Sequence, residues 1–293
     1  MAACRAEGAD TVTVIDSGIG KRPTPSNVAD ATHSRATTPG DLPCRPGPPL
    51  KIDLQALMDL GLLASPPNVE RQAYEYRTVK YALGTMRARP DTLARERSHL
   101  IAITSALPGD GKTVTSINLA LSYAGEANQG VILVDADLAK CHLTQALNAS
   151  AYPGLVNLVA DETLQLGDVL LKTSIPNLYF LAAGTPRTDS HELLGTARGM
   201  NVITRLAGAN NGRAVVFDTS PLLLTNESSL LAAQVGRIVL VVRAAHTLQD
   251  AVIDARSRIP PAVPVSVVLT AWEPLGLAEK DYYNRYEDYY ARK

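Results

Sequence analysis

The segment Ala106-Leu-Pro-Gly-Asp-Gly-Lys-Thr113 sets two glycines, a lysine and a hydroxyl residue at the spacing of a phosphate-binding loop. Gly109 and Gly111 let backbone N–H groups turn inward around phosphate oxygens. A helix starting behind them aims the positive end of its dipole at the same point. Lys112 can reach the β- and γ-phosphates of ATP, and the Thr113 hydroxyl can ligate Mg²⁺. The expected nucleotide-binding set is therefore Pro108, Gly109, Asp110, Gly111, Lys112, Thr113 and Val114, with Thr115 as a further hydroxyl in the first helical turn. Ala106 stands where G-x-x-x-x-G-K-[ST] has its first glycine. The alternative is a chance Gly-Asp-Gly-Lys-Thr in a loop, and the apolar strand before it and helical pattern after it argue against that.

Two more apolar stretches end in acid: Val131-Ile-Leu-Val-Asp135-Ala-Asp137 and Ala214-Val-Val-Phe-Asp218. An aspartate at such a strand end can hold Mg²⁺ directly or through water, so Thr113, Asp135 and Asp218 form the expected metal set. Asp135 and Asp137, two apart, would share a face of an extended strand. Either could then take the proton of an acceptor hydroxyl, making Lys112, Asp135 and Asp137 the candidate catalytic residues. The competing reading is that these aspartates cap the helices that follow, and for Asp137 the two readings are evenly matched.

A possible acceptor lies at the end of the chain. Five of the 11 tyrosines, Tyr282, Tyr283, Tyr286, Tyr289 and Tyr290, fall in the last segment among acidic residues. Tyr282, Tyr286 and Tyr289 also fit one helix face, so an aromatic face packed on the body is one reading. A stacking surface for nucleic acid is a second, disfavoured by 28 basic against 29 acidic residues. Phosphate acceptors are the third. Paired tyrosines without Phe, Leu or Trp keep hydroxyls where bulk alone would not need them, which favours this reading.

These residues need a scaffold. Short, β-branched, apolar stretches at Leu100–Ser105, Val131–Asp135, Leu178–Ala182, Ala214–Asp218, Ile238–Val242 and Val265–Thr270 read as strands buried on both faces. Helix-compatible stretches over 112–126, 190–208, 224–235 and 247–258 lie between them. The alternation predicts an α/β P-loop NTPase fold, a doubly wound, mostly parallel sheet flanked by helices, with ligands at the carboxyl ends of the strands. Before this core, 69–88 reads as a helix with Tyr76, Val79, Tyr81, Leu83 and Met86 at its apolar positions, and 52–61 as a short amphipathic piece. The expected organisation is a disordered Pro-rich tail (1–50), a helical segment (51–98), the core (99–275) and a tyrosine-rich tail (276–293). Three scattered cysteines read as free thiols of a reducing cytosol, and no apolar run reaches the ~18 residues of a membrane helix. A cytoplasmic protein touching the membrane only through a partner is expected.

Together these elements resemble the bacterial tyrosine kinases of capsule and exopolysaccharide synthesis, and most closely the autokinases of exosortase-type polysaccharide loci. The family's three nucleotide motifs match at Ala106–Thr113, Val131–Asp137 and Val215–Asp218, and its tyrosine cluster at Tyr282–Tyr290. Supporting segments are Glu75-Tyr-Arg-Thr-Val-Lys80, Leu181-Ala-Ala-Gly-Thr-Pro186 with Glu192-Leu-Leu194, and Asp218-Thr-Ser-Pro-Leu-Leu223. The resemblance implies ATP and Mg²⁺ as cofactors, autophosphorylation on tyrosine, and assembly into a homo-oligomeric ring that offers one tail to the next active site. It also implies a separate transmembrane co-polymerase or chain-length protein as activator, an opposing tyrosine phosphatase, and a place beside the inner membrane through the activator. Two departures stand out. Relatives often read Asp-Leu-Arg-Arg-Pro where this chain has Asp137-Leu-Ala-Lys-Cys141, leaving Lys140 to substitute for an arginine whose fork it lacks. The family's ring-contact motif, Glu-x-x-Arg-x-x-Arg, is missing in that spacing near Glu75 and Arg77.

Two other functions compete. An ATPase switch of the kind that positions division or partition machinery would carry a second lysine early in the phosphate loop, where this chain has Leu107, and would leave the tyrosines unexplained. A nucleotide-binding scaffold of the export machinery without catalysis would explain the altered Leu138–Cys141 stretch.

Overall fold

The computed structural model describes residues 11–14, 42–85, 97–126, 130–187, 193–209 and 212–271. Its strands are β1 (Thr11–Val14), β2 (Leu100–Ser105), β3 (Val131–Asp135), β4 (Leu171–Lys172), β5 (Leu178–Leu181), β6 (Ala214–Asp218), β7 (Arg237–Arg243) and β8 (Val265–Thr270). They form one sheet in the order β1-β8-β7-β2-β6-β3-β5-β4. Every pairing is parallel except the short β4–β5 edge. The six strands expected from sequence all form, and β2, β3, β5 and β6 are buried along their whole length.

Side chains alternate across the sheet, so neighbours on one strand enter different cores. Leu100 and Ala102 join one cluster and Ile101 and Ile103 the other. The first is covered by α5 (Leu155–Ala160), α6 (Leu166–Val169), α7 (Ala197–Ala209), α8 (Glu227–Ala232) and α9 (Gln249–Ser257). The second is covered by α1 (Leu54–Asp59), α2 (Val69–Thr85), α3 (Lys112–Ala124) and α4 (His142–Ala146). Helices on both faces of a parallel sheet make the fold doubly wound, as expected. The pieces α4–α6 and β4, six residues or fewer, went unread because they are too short to carry a period.

α2 is the brace of the phosphate-loop helix. Tyr76, Val79 and Leu83 bury against the core, whereas Tyr81, expected there, is 70% exposed. Three polar ties run along α3. The Tyr76 hydroxyl lies 3.5 Å from Thr115 Oγ1, Asn118 Nδ2 donates to Leu62 O at 2.8 Å, and Lys80 Nζ donates to Ser122 O at 3.1 Å while pairing with Glu126.

The reading of 1–50 as a disordered tail needs correction in two places. Thr11–Val14 pairs with β8 in parallel register, Thr11 with Ser266 through Val14 with Leu269. Leu42 and Leu50 are buried, and Leu50 N–H bonds Lys172 O at 2.8 Å, so this stretch straps the far sheet edge. A strap needs only a few anchoring apolar side chains, which average composition hides. The tyrosine cluster, Met86 and Glu192 lie outside the described residues.

Candidate active site

β2 is a central strand, and the chain leaves its carboxyl end through Ala106–Gly111 into α3. Gly109 and Gly111 take positive φ, +86° and +97°, the left-handed conformation that only glycine adopts without strain. Pro108 and Gly109 are exposed on the loop's outer side, while Thr113 and Val114 are partly buried. Lys112 is 8% exposed. Burial lowers the pKa of Lys112, the carboxylates of Asp218, Asp137 and Asp110 oppose that, and Lys140 adds to the lowering. Lys112 thus points its charge into the cluster of acids, and Lys140 is near enough to be felt there.

Two residues of the expected set turn elsewhere. The Asp110 side chain, 0% exposed, accepts from Leu107 N–H at 3.3 Å and from Thr247 Oγ1 at 2.6 Å. Its carboxylate is thus committed to holding the loop, which leaves only its backbone for the expected phosphate contact. Thr115 faces α2 through Tyr76. The extra hydroxyl at the acids comes from Ser116, whose Oγ donates to Asp218 Oδ1 at 3.0 Å.

Asp135 and Asp218 are Cα partners on the adjacent strands β3 and β6, and both are almost wholly buried. Asp135 accepts Thr144 N–H at 2.7 Å on Oδ2 and Asp137 N–H at 3.3 Å on Oδ1. Thr144 is in the first turn of α4, whose own cap residue, Cys141, is left-handed (φ 51°) and offers no side-chain cap bond. Asp135 supplies that acceptor from β3, so the capping reading holds for it while the residue also stands opposite Asp218. Asp137 follows the strand, which ends at Asp135, so the expected shared strand face does not exist. Asp137 is brought in by the turn instead, with Oδ1 accepting from Ser220 Oγ at 2.9 Å.

Burial pushes the Asp218 carboxyl up to about 7, with the Asp135 charge adding to the rise and the Thr113 hydroxyl, Lys112 and Ser116 opposing it. Burial likewise raises Asp135 to about 6, against its bonds from Thr144. Two facing buried carboxylates beside one lysine are short of positive charge. A hard divalent cation held by Thr113, Asp218 and Asp135 fits this oxygen set. No cluster of three or more His, Cys, Asp or Glu suited to a metal exists among the described residues, so phosphate oxygens would have to complete the shell. That is the usual arrangement for Mg²⁺ with a nucleotide.

Sequence reasoning gave no role to Ser116, Thr144, Ser220, Thr247 or Thr270. Ser116 was readable, three residues after Thr113 on the same helical face. Thr144, Thr247 and Thr270 come from remote segments with no motif around them.

No family model matches the chain. The putative tyrosine-protein kinase EpsB of Ralstonia nicotianae is 32% identical over 146 residues, 50% of this chain and 19% of that protein. The tyrosine-protein kinase CpsD of Streptococcus agalactiae is 28% identical over 165 residues, 56% of this chain and 70% of that protein. The solved VpsO kinase domain matches with a TM-score of 0.59 at 26% identity, over 71% of this chain and 100% of that domain. The chain spans only a small part of the Ralstonia protein and most of the streptococcal one. The resemblance to bacterial tyrosine kinases drawn from the motifs is thus met by similar sequences bearing that name and by a kinase domain of the same fold.

Proposed function

We propose that the chain is an ATP- and Mg²⁺-dependent protein-tyrosine kinase that phosphorylates its own Tyr282, Tyr283, Tyr286, Tyr289 and Tyr290 and so regulates capsule or exopolysaccharide synthesis and export. The observation that carries it is the gathering of Lys112, Asp137, Asp135 and Asp218 at the carboxyl ends of β2, β3 and β6, beside the glycine loop. Mg²⁺, when bound with the nucleotide, supplies charge neutralisation between the phosphates. Thr113 and Asp218 would hold it, with Asp135 behind them. Lys112 and the amino end of α3 draw the γ-phosphoryl charge. Of the two candidate bases, Asp135 has both oxygens engaged by backbone N–H groups. Asp137, at 8% exposed and fixed by Ser220, is better placed to take the acceptor tyrosine's proton.

Leu107 weighs against an ATPase switch. At the position where a switch would extend a lysine, this side chain packs against the apolar core. The further parts of the proposal are a transmembrane co-polymerase as activator, a tyrosine phosphatase as antagonist, a homo-oligomer, and a cytoplasmic site beside the inner membrane. Among the described residues no helix is long and apolar enough to cross a membrane.

The test is phosphotyrosine mapping by mass spectrometry after incubation with ATP and Mg²⁺, with and without the cytoplasmic end of the activator. Phosphate is expected on the terminal tyrosines of the wild type and absent from Lys112→Met. No phosphotyrosine under activating conditions overturns the kinase reading. ATP-dependent dimerisation without it would support the switch.

A further inference from the structure

Asp110 sits between the two left-handed glycines of the phosphate loop, and its bonds lead out of the loop to two threonines distant in sequence. Its carboxylate, 0% exposed, takes the Thr247 hydroxyl on Oδ1 at 2.6 Å and Leu107 N–H on Oδ2 at 3.3 Å. Its backbone carbonyl takes the Thr270 hydroxyl at 2.7 Å. Both threonines are themselves fixed. Thr247 Oγ1 accepts Arg243 N–H at 3.2 Å, and the Thr270 carbonyl accepts Ala244 N–H at 2.9 Å. The Thr270 methyl also closes the space over Gly111, where an added Cβ would lie 3.4 Å from it. The ends of β7 and β8 thus grip the loop from the side opposite the acids.

We infer that Thr247 and Thr270 are positioning residues for the nucleotide, acting through Asp110. A glycine-rich loop is free to leave its phosphate-binding shape, since Gly109 and Gly111 are held there by no side chain of their own. The two hydroxyls remove that freedom before the nucleotide arrives, so binding does not have to order the loop. Their loss weakens phosphate binding without any contact to the phosphates having been cut. This inference rests on the reading of Ala106–Thr113 as a nucleotide site.

The experiment titrates the full-length protein with a fluorescent ADP analogue in Mg²⁺ and records melting of the nucleotide-free protein. The variants are Thr247→Val and Thr270→Val, their serine counterparts, and Thr173→Val as a control. Valine keeps the β-branched shape and deletes the donor. Thr173 is a buried threonine, 5% exposed where Thr247 and Thr270 are half-buried, and its hydroxyl serves Leu178 O and Ile175 O away from the loop. Losing a hydrogen bond to the loop should weaken analogue binding by roughly tenfold in each valine variant. Thr247→Ser and Thr270→Ser should restore it, and Thr173→Val should lower the melting temperature with affinity unchanged. Valine variants that melt early yet bind like the wild type would overturn the inference, as would weakened binding that serine fails to rescue. A wild type that binds no analogue would instead defeat the nucleotide-site reading beneath it.

Discussion

With its carboxyl buried beside Asp135, Asp218 holds a proton up to about pH 7 in the folded chain, far above the unfolded value near 3.8. The folded state therefore binds more protons than the unfolded state between about pH 4 and pH 7, and stability falls as pH rises through that window. Asp135, raised to about 6, acts in the same direction. The site thus costs stability at neutral pH, a cost that a bound cation would relieve. Asp218→Asn removes one of the two buried charges while keeping an acceptor for Ser116. In EDTA at pH 8 it should be more stable than the wild type, by on the order of a few kcal/mol. Its stability should also change less between pH 5 and pH 8. Phosphotyrosine formation should drop by roughly 100-fold or more, because the proposed cation would lose a ligand. Denaturant melts at the two pH values and a phosphotyrosine time course read both effects. A variant less stable than the wild type at pH 8 would contradict this account of Asp218.

Among the elements, α2 is the one whose role is mechanical. Its buried residues Tyr76, Val79 and Leu83 press on α3, and Lys80 anchors its far end to Ser122 O and Glu126. Leu83→Ala deletes a side chain that is 0% exposed and should destabilise the protein by about 2–5 kcal/mol. The urea midpoint should fall with an unchanged slope if the brace and the core unfold together. A changed slope or a second transition would mean that the 51–85 segment unfolds separately. How much of this was legible depended on how local each element's cause is. β2, β3 and β6 announced themselves because burial on both faces needs unbroken apolar runs, and the phosphate loop because its glycines, lysine and threonine are contiguous. α4 did not, since its acceptor, Asp135, lies on another element and its cap residue Cys141 is a poor signal. The ties of Asp110 were hidden for the same reason, its partners Thr247 and Thr270 being more than 130 residues away. Leu42 and Leu50 fell inside a Pro-rich stretch whose composition outweighs two anchoring side chains.

At the scale of the whole molecule, the parallel sheet brings the end of β8 to the phosphate loop. β8 ends at Thr270, and the Thr270 hydroxyl is bonded to the phosphate loop itself. Tyr282 follows Thr270 by twelve residues (282 − 270), which can reach at most roughly 40 Å when extended. That length lets the tail return to the site from which it departs. Covalent attachment over so short a span would hold the tyrosines near the site at an effective concentration of about a millimolar. Lys80, three residues past Arg77 on α2, turns inward to Glu126, so its charge is not available to a ring contact on the outer face. In dilute solution, then, phosphorylation should proceed within one chain, with the proposed oligomer adding transfer between chains only as concentration rises. The initial rate per chain should stay constant over a roughly hundredfold dilution, as an intramolecular step requires. In a dilute mixture of the active protein lacking residues 272–293 with full-length Lys112→Met, the variant's tyrosines should remain almost unmodified. A rate per chain that falls in proportion to dilution, or rapid labelling of the Lys112→Met tail in that mixture, would assign the reaction to neighbouring subunits.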